Sequence, residues 1–208
     1  MSVATENQLK ARDLDRGDNL AAARVFTAAF MDDPIWQATG PRRAWHRRLV
    51  LTALYYAEVL IARGRRAVLL GAYRGERLDG VIIVFPDGER GLPWWGWVLR
   101  SVAIIIAGPR ATARSLTVSN ALDRLHPEQA HAHFWLIGSR PDSLGAGYLL
   151  MRSATARIDR LGRPGYLEAT SPEMAEVKEL LGWRVRERYT LPTGAVVTTM
   201  WRDCPSRV

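Results

Sequence analysis

The stretch that most constrains the fold runs from His131 to Trp183. Its residues read as strand His131–Ser139, a glycine loop, helix Tyr148–Leu161, strand Gly165–Thr170, and a helix Pro172–Leu181 capped by Ser171 and closed by Gly182. A strand, a glycine loop and a helix in succession suggest an anion site, because the loop and the helix N-terminus present unpaired N–H groups. The alternation of strands with helices implies an α/β (α+β) class.

The preceding elements fit around this unit. Lys10–Leu14 reads as a first strand, followed by a helix capped at Asp18 whose apolar positions Leu20, Ala23, Phe26 and Phe30 recur at helical spacing. Asp32-Asp33-Pro34 stops it. A second helix, from about Arg42 to Arg63, carries Trp45, Leu49, Ala53, Tyr56 and Leu60 on one stripe and arginines on the other, and ends at Gly64. Ala67–Tyr73 and Val81–Phe85 flank turn-rich residues 74–80 and read as a hairpin, and Trp183–Leu191 with Ala195–Arg202 reads as another. Between the hairpins, Trp94–Ala107 and Ala111–His126 read as two helices broken at Gly108-Pro109. The first is apolar nearly all round and should pack against the sheet or a partner. Trp94, Trp95 and Trp97 beside it suit packing first, then a substrate pocket, a dimer contact or a membrane surface.

At 208 residues and 48% hydrophobic content, one domain spanning 1–208 can form a core without metal or disulfide staples. Cys204 has no cysteine partner, which fits a reducing compartment. The segment Met1–Asp18 has no apolar core and is not a signal peptide, so a cytoplasmic location is expected. The run Leu92–Gly108, interrupted by Arg100, falls short of the roughly 20 clean residues of a bilayer span. A net charge of +8, with Lys10 and Lys178 the only lysines, makes almost all the positive charge guanidinium. Arg42, Arg43, Arg47, Arg48, Arg65 and Arg66 concentrate it in and just after the second helix, as a solvated surface or as a face for a polyanion such as tRNA.

Three stretches carry a resemblance to a known family: Ala28-Ala29-Phe30-Met31-Asp32-Asp33-Pro34, Pro141 to Gly147, and Tyr166-Leu167-Glu168-Ala169-Thr170-Ser171-Pro172 through Leu181-Gly182-Trp183. Together with the element order they resemble the Gcn5-related N-acetyltransferase (GNAT) superfamily, nearest its antibiotic and secondary-metabolism branch. The resemblance implies a mixed sheet of about seven strands flanked by helices, here with a two-helix insertion before the fourth strand. It also implies acyl-CoA, typically acetyl-CoA, as donor. In that family the loop after the fourth strand reads Q/R-x-x-G-x-G/A and holds the donor pyrophosphate. The matching residues are Leu144, Gly145, Ala146, Gly147, Tyr148 and Leu149, with Ile137 and Ser139 leading into them. Gly147 keeps the pattern's first glycine, while Leu144 and Leu149 depart from its polar and small positions. On the last helix Met174 stands at the family's asparagine and Lys178 at its tyrosine general acid.

Lys178 can donate a proton or neutralise developing charge if burial lowers its pKa, although a lysine on a short helix ordinarily sits on the solvated side. Glu168, mid-strand between Leu167 and Ala169, needs a partner: an arginine in a structural pair, or a catalytic role as base. His131 and His133 alternate on one strand face, and His133, nearer the loop, is the better base candidate. His46 and His126 have no ligand-like spacing to them, so no metal is expected. Asp32 and Asp33 either shape an acceptor pocket for a cationic amine or merely end the helix. No Walker loop, paired C-x-x-C or G-x-S-x-G is present. The expected function is an N-acyltransferase moving an acyl group from acyl-CoA to the amine of a small molecule. A donor esterified on tRNA and a non-catalytic binding module are the alternatives, and a homodimer is possible.

Overall fold

A computed structural model describes residues 8–88 and 91–204. Part of the Met1–Asp18 segment therefore lies outside the described residues. Among them, strands β1 (Leu9–Asp13), β2 (Val68–Arg74), β3 (Arg77–Phe85), β4 (Ala132–Ser139), β5 (Gly165–Ala169), β6 (Arg184–Thr190) and β7 (Val196–Arg202) form one sheet in the order β1-β2-β3-β4-β5-β7-β6. All neighbours are antiparallel except β4 and β5. The mixed sheet, the flanking helices and the two-helix insertion agree with the expectation.

Helices α1 (Asn19–Phe30) and α3 (Ala44–Gly64) cover one face. Phe26, Leu51, Tyr55 and Val59 pack there against Leu69, Val81 and Ile83. Gly138 permits the close approach: a Cβ there would lie 3.0 Å from both Ala29 Cβ and Phe26 Cδ1. Helices α6 (Ala146–Arg160) and α7 (Pro172–Glu179) cover the other face, where Leu150, Ala154 and Ile158 meet Leu70, Ile82, Val84 and Phe134. Val68–Tyr73 of β2 and Val81–Phe85 of β3, buried on both faces, are accordingly largely apolar runs.

Several boundaries differ from the sequence reading for local reasons. The 74–80 turn shortens to Gly75-Glu76, because β3 already begins at Arg77. Asp18 does not cap α1 with its side chain; its carboxylate instead accepts a 2.7 Å bond from the Tyr73 hydroxyl. Asp33 starts a short helix α2 (Pro34–Thr39), accepting from Ile35 N–H at 2.9 Å. Helix α6 begins two residues before Tyr148, at Ala146.

The stripe expected to be the packing face of α3 turns outward. Trp45, Leu49 and Tyr56 are exposed, and the buried face is built from Leu51, Tyr55, Glu58 and Ala62. Of the insertion, α4 (Trp94–Ala107) packs on α3, while α5 (Pro109–Leu125) packs on α4 and α2, with Val118 and Ala121 against Ile35, Leu191 and Val197. Trp95 lies against Gly64 and the His46 ring contacts the Ile106 carbonyl at 2.7 Å, so α4 runs antiparallel to α3. The outer side of α4, with Trp94, Trp97, Val98 and Ile105, is exposed. No helix among the described residues is long and apolar enough to cross a membrane.

Trp183 locks the end of the sheet. Its ring is 2% exposed, meets Phe134 edge-on at 4.9 Å, and occupies the space left by the missing side chain of Gly165. Trp183→Ala is expected to cost about 3–5 kcal/mol, read as a lower urea midpoint with an unchanged slope.

Candidate functional site

Strands β4 and β5 pair only through Ala132–Gly165 and His133–Tyr166. Beyond these residues they part and leave a wedge in the middle of the sheet. A bulge helps open it: Ile83 faces Leu136 while the next residue, Val84, faces Phe134, so Trp135 is the extra residue of β4. The Trp135 indole N–H donates to buried Glu58 at 3.2 Å, and Glu58 also takes a 2.6 Å bond from Arg100 of the insertion. Glu58, the only carboxylate between Pro41 and Arg74 in the sequence, is thus a structural acid of this region.

The glycine loop stands at the open end of β4. Gly145 has φ +82°, a conformation that glycine adopts without strain, and no atom within 4 Å of where its Cβ would be. A Cβ on Gly147 would meet only Ser139 Oγ, at 3.8 Å. The first bond of the α6 ladder runs from Leu149 N–H to Gly145 C=O, so the amides of Ala146, Gly147 and Tyr148 precede it. Backbone can therefore approach an anion here, as the glycine pattern implies. The loop is held from behind by buried Asp79, which binds Ser143 Oγ at 2.9 Å and Arg74 Nε at 3.2 Å, while Arg140 N–H donates to the Asp79 carbonyl at 2.8 Å. Ile137 and Ser139 are half-buried on β4, and Leu144 projects 92% exposed.

At the apex of the wedge, His133 Nε2 lies 3.0 Å from Glu168 Oε2, both side chains being largely buried. The partner of Glu168 is thus a histidine and not an arginine. Burial pushes the Glu168 pKa up, but His133, Tyr166 and His126 outweigh it and hold the carboxyl below its usual value. His131 lies on the same side, 6.3 Å from His133 between ring centroids, with its Nδ1 at 2.6 Å from the Gln129 carbonyl. His126, five residues before His131, is folded among them, while His46 lies on α3 against α4.

Lys178 is only 9% exposed. It shares the inner face of α7 with Ala175, and its ammonium donates to the Met174 carbonyl at 3.3 Å. The solvated placement usual for lysine is overturned because α7 lies flat on β5, β6 and β7. Burial without a carboxylate pulls its pKa down to about 8. Asp33 accepts from Ile35 through one oxygen and from Thr170 Oγ1, at 2.6 Å, through the other, pinning the start of α2 to the end of β5. Burial raises its pKa. Asp32 is exposed. The arginines divide: Arg47 donates to the Met31 and Pro41 carbonyls and Arg65 to the Gly91 carbonyl, whereas Arg42, Arg43, Arg48 and Arg66 are exposed.

The sequence matches no protein-family model and no curated protein. Solved structures do resemble it. A Corynebacterium glutamicum protein described as histone acetyltransferase HPA2 and related acetyltransferase aligns over 96% of this chain and 98% of its own, with TM-score 0.71 and 20% identity. The C-terminal condensation domain of Ebony, in complex with beta-alanyl-dopamine, aligns over 94% and 98% with TM-score 0.60 and 11% identity. The protein yncA from Salmonella typhimurium, with its cofactor acetyl-CoA, aligns over 97% and 96% with TM-score 0.58 and 13% identity. The chain has the GNAT fold.

A depressed lysine pKa is a stability statement. Between about 8 and the ordinary 10.5 the unfolded chain holds a proton that the folded chain lacks, so stability contributed at this position rises with pH across that window. Below it the buried ammonium costs roughly 3 kcal/mol. Lys178→Met should therefore be more stable than wild type at neutral pH, by an amount that shrinks as pH is raised to about 10. Urea unfolding at several pH values checks this, and a pH-independent difference would contradict it.

Proposed function

We propose that this chain, acting as one domain, is an N-acyltransferase that moves an acyl group from acyl-CoA to the amine of a small molecule. The observation that carries the reading is the wedge between β4 and β5, which opens beside a helix N-terminus whose glycines leave room for an anion. The donor's phosphates would sit at Gly145–Tyr148, with Ile137 and Ser139 along its arm. Proximity of donor and amine in one cleft then supplies most of the rate.

Glu168, oriented by His133, is the base that accepts the amine proton as the carbon–nitrogen bond forms. The tetrahedral adduct collapses with loss of the thiolate, and Lys178, charged below about pH 8, supplies its proton or neutralises its charge. A lysine in place of the family's tyrosine accounts for the buried charge on α7. His131 supports the acceptor side of the wedge, and Asp33 shapes it as a clamp rather than as a free anion.

An acyl group esterified on tRNA is the second reading, favoured by one pair of observations. Leu144 and Leu149 depart from the phosphate-loop pattern, and Arg42, Arg43, Arg48 and Arg66 remain exposed. Such a donor would show binding that weakens steeply with salt. Titrating the protein with acetyl-CoA and with total tRNA at low and high salt separates the two: tight, weakly salt-dependent CoA binding excludes the tRNA donor, and the reverse excludes CoA.

Under the leading reading, release of CoA thiol with a panel of amines should fall as pH rises through about 8, because Lys178 loses its proton. Lys178→Met should lower kcat about 100-fold and flatten that limb of the pH profile. Unchanged kcat in this variant removes the lysine from the chemistry.

A further inference from the structure

The connection from α5 to β4 brings a third ligand-type side chain to the wedge apex. One donor atom each of His126, His133 and Glu168 lies within 4.8 Å of the others. We infer that these three side chains form a binding site for a divalent transition-metal ion of the zinc type.

The donor set is two imidazoles and one carboxylate, which suits zinc rather than magnesium or calcium, whose ligands are oxygens. Zinc bonds of about 2.0–2.2 Å place tetrahedral ligand atoms roughly 3.3 Å apart. The His133 Nε2 to Glu168 Oε2 distance is 3.0 Å, so this pair needs little movement to share an ion. Three protein ligands leave a coordination position for water or another small molecule.

The surroundings orient these ligands. His131 Nδ1 stands 2.6 Å from the Gln129 carbonyl and must carry a hydrogen there, which leaves Nε2 as an acceptor. His126 Nε2, 3.1 Å from it, then holds the other hydrogen, and the lone pair of His126 falls on Nδ1. A ligating histidine whose second nitrogen donates a hydrogen bond is the usual arrangement around a metal. Tyr166 packs edge-on to His126 at 5.1 Å and forms one wall of the cluster. The ligands come from β4, β5 and the end of the insertion, so an ion here would tie the insertion to the wedge.

The inference deepens the proposed function, because Glu168 cannot take an amine proton while it holds an ion. Bound zinc is then an inhibitor of acyl transfer that His126 admits. The site itself does not rest on that activity. Chelator-stripped full-length protein is titrated with Co²⁺, followed by visible absorption, and with Zn²⁺, followed by calorimetry and Tm. One equivalent should bind at micromolar affinity or tighter, cobalt should be displaced by zinc, and zinc should raise Tm. His126→Ala should lose at least about 10-fold in affinity with its metal-free Tm and circular dichroism retained. Glu168→Gln, which keeps the side-chain shape, should do the same, and His46→Ala should bind like wild type. Millimolar binding by wild type, or undiminished binding by His126→Ala, overturns the site. Metal binding by a protein whose metal-free form has no transferase activity upholds the site and removes the proposed function; transferase activity without metal binding does the reverse.

Discussion

Hydrogen bonding between β4 and β5 ends after two residue pairs, and the rest of the molecule is arranged around that gap. A sheet interrupted at its centre leaves backbone groups that its neighbours cannot pair, so the opening persists only where other elements hold its sides apart. The Trp135 bulge bends β4 on one side. On the other, Thr170 at the end of β5 is fixed to Asp33. Glu58 ties the bulge to the insertion through Trp135 and Arg100. These contacts join segments far apart in the chain, and each uses a buried polar group that would be costly without its partner.

The same logic explains the arginine excess. Much of the guanidinium charge is spent on backbone carbonyls and carboxylates inside the molecule. Arg63 binds Asn19 and the carbonyls of Leu14 and Asp15, Arg114 binds those of Thr39 and Gly40, and Arg202 forms a two-bond pair with Asp159. A planar fork with five donors satisfies two or three acceptors at once in a fixed geometry that a lysine ammonium lacks. Net charge therefore overstates the positive charge on the surface, although Arg42, Arg43, Arg48 and Arg66 around α3, and Arg184, Arg186 and Arg188 on β6, are exposed.

The element order was legible, and for identifiable reasons. The glycine loop, the Ser171 cap and the Gly182 stop are local signals whose geometry depends on neighbouring residues, and they appear where the residues placed them. The outward stripe of α3 was not legible. Periodicity shows that Trp45, Leu49 and Tyr56 share a face but not which face meets the core, and here the buried side that carries Glu58 won. The pairing of Glu168 with His133 was half visible: a carboxylate mid-strand demands a partner, while the choice of partner depends on how two strands are registered.

What the sequence by itself determined is the alternation of strands and helices, the glycine loop at Gly145 and Gly147, and the departures at Leu144, Leu149, Met174 and Lys178. All of these are properties of residue type and short-range spacing. Tertiary structure alone decided that Lys178 is buried and weakly basic, that Asp33 is a clamp, and that His126 joins His133 and Glu168. Each depends on desolvation or on contact between distant segments, and neither is encoded in the spacing of residues along one chain.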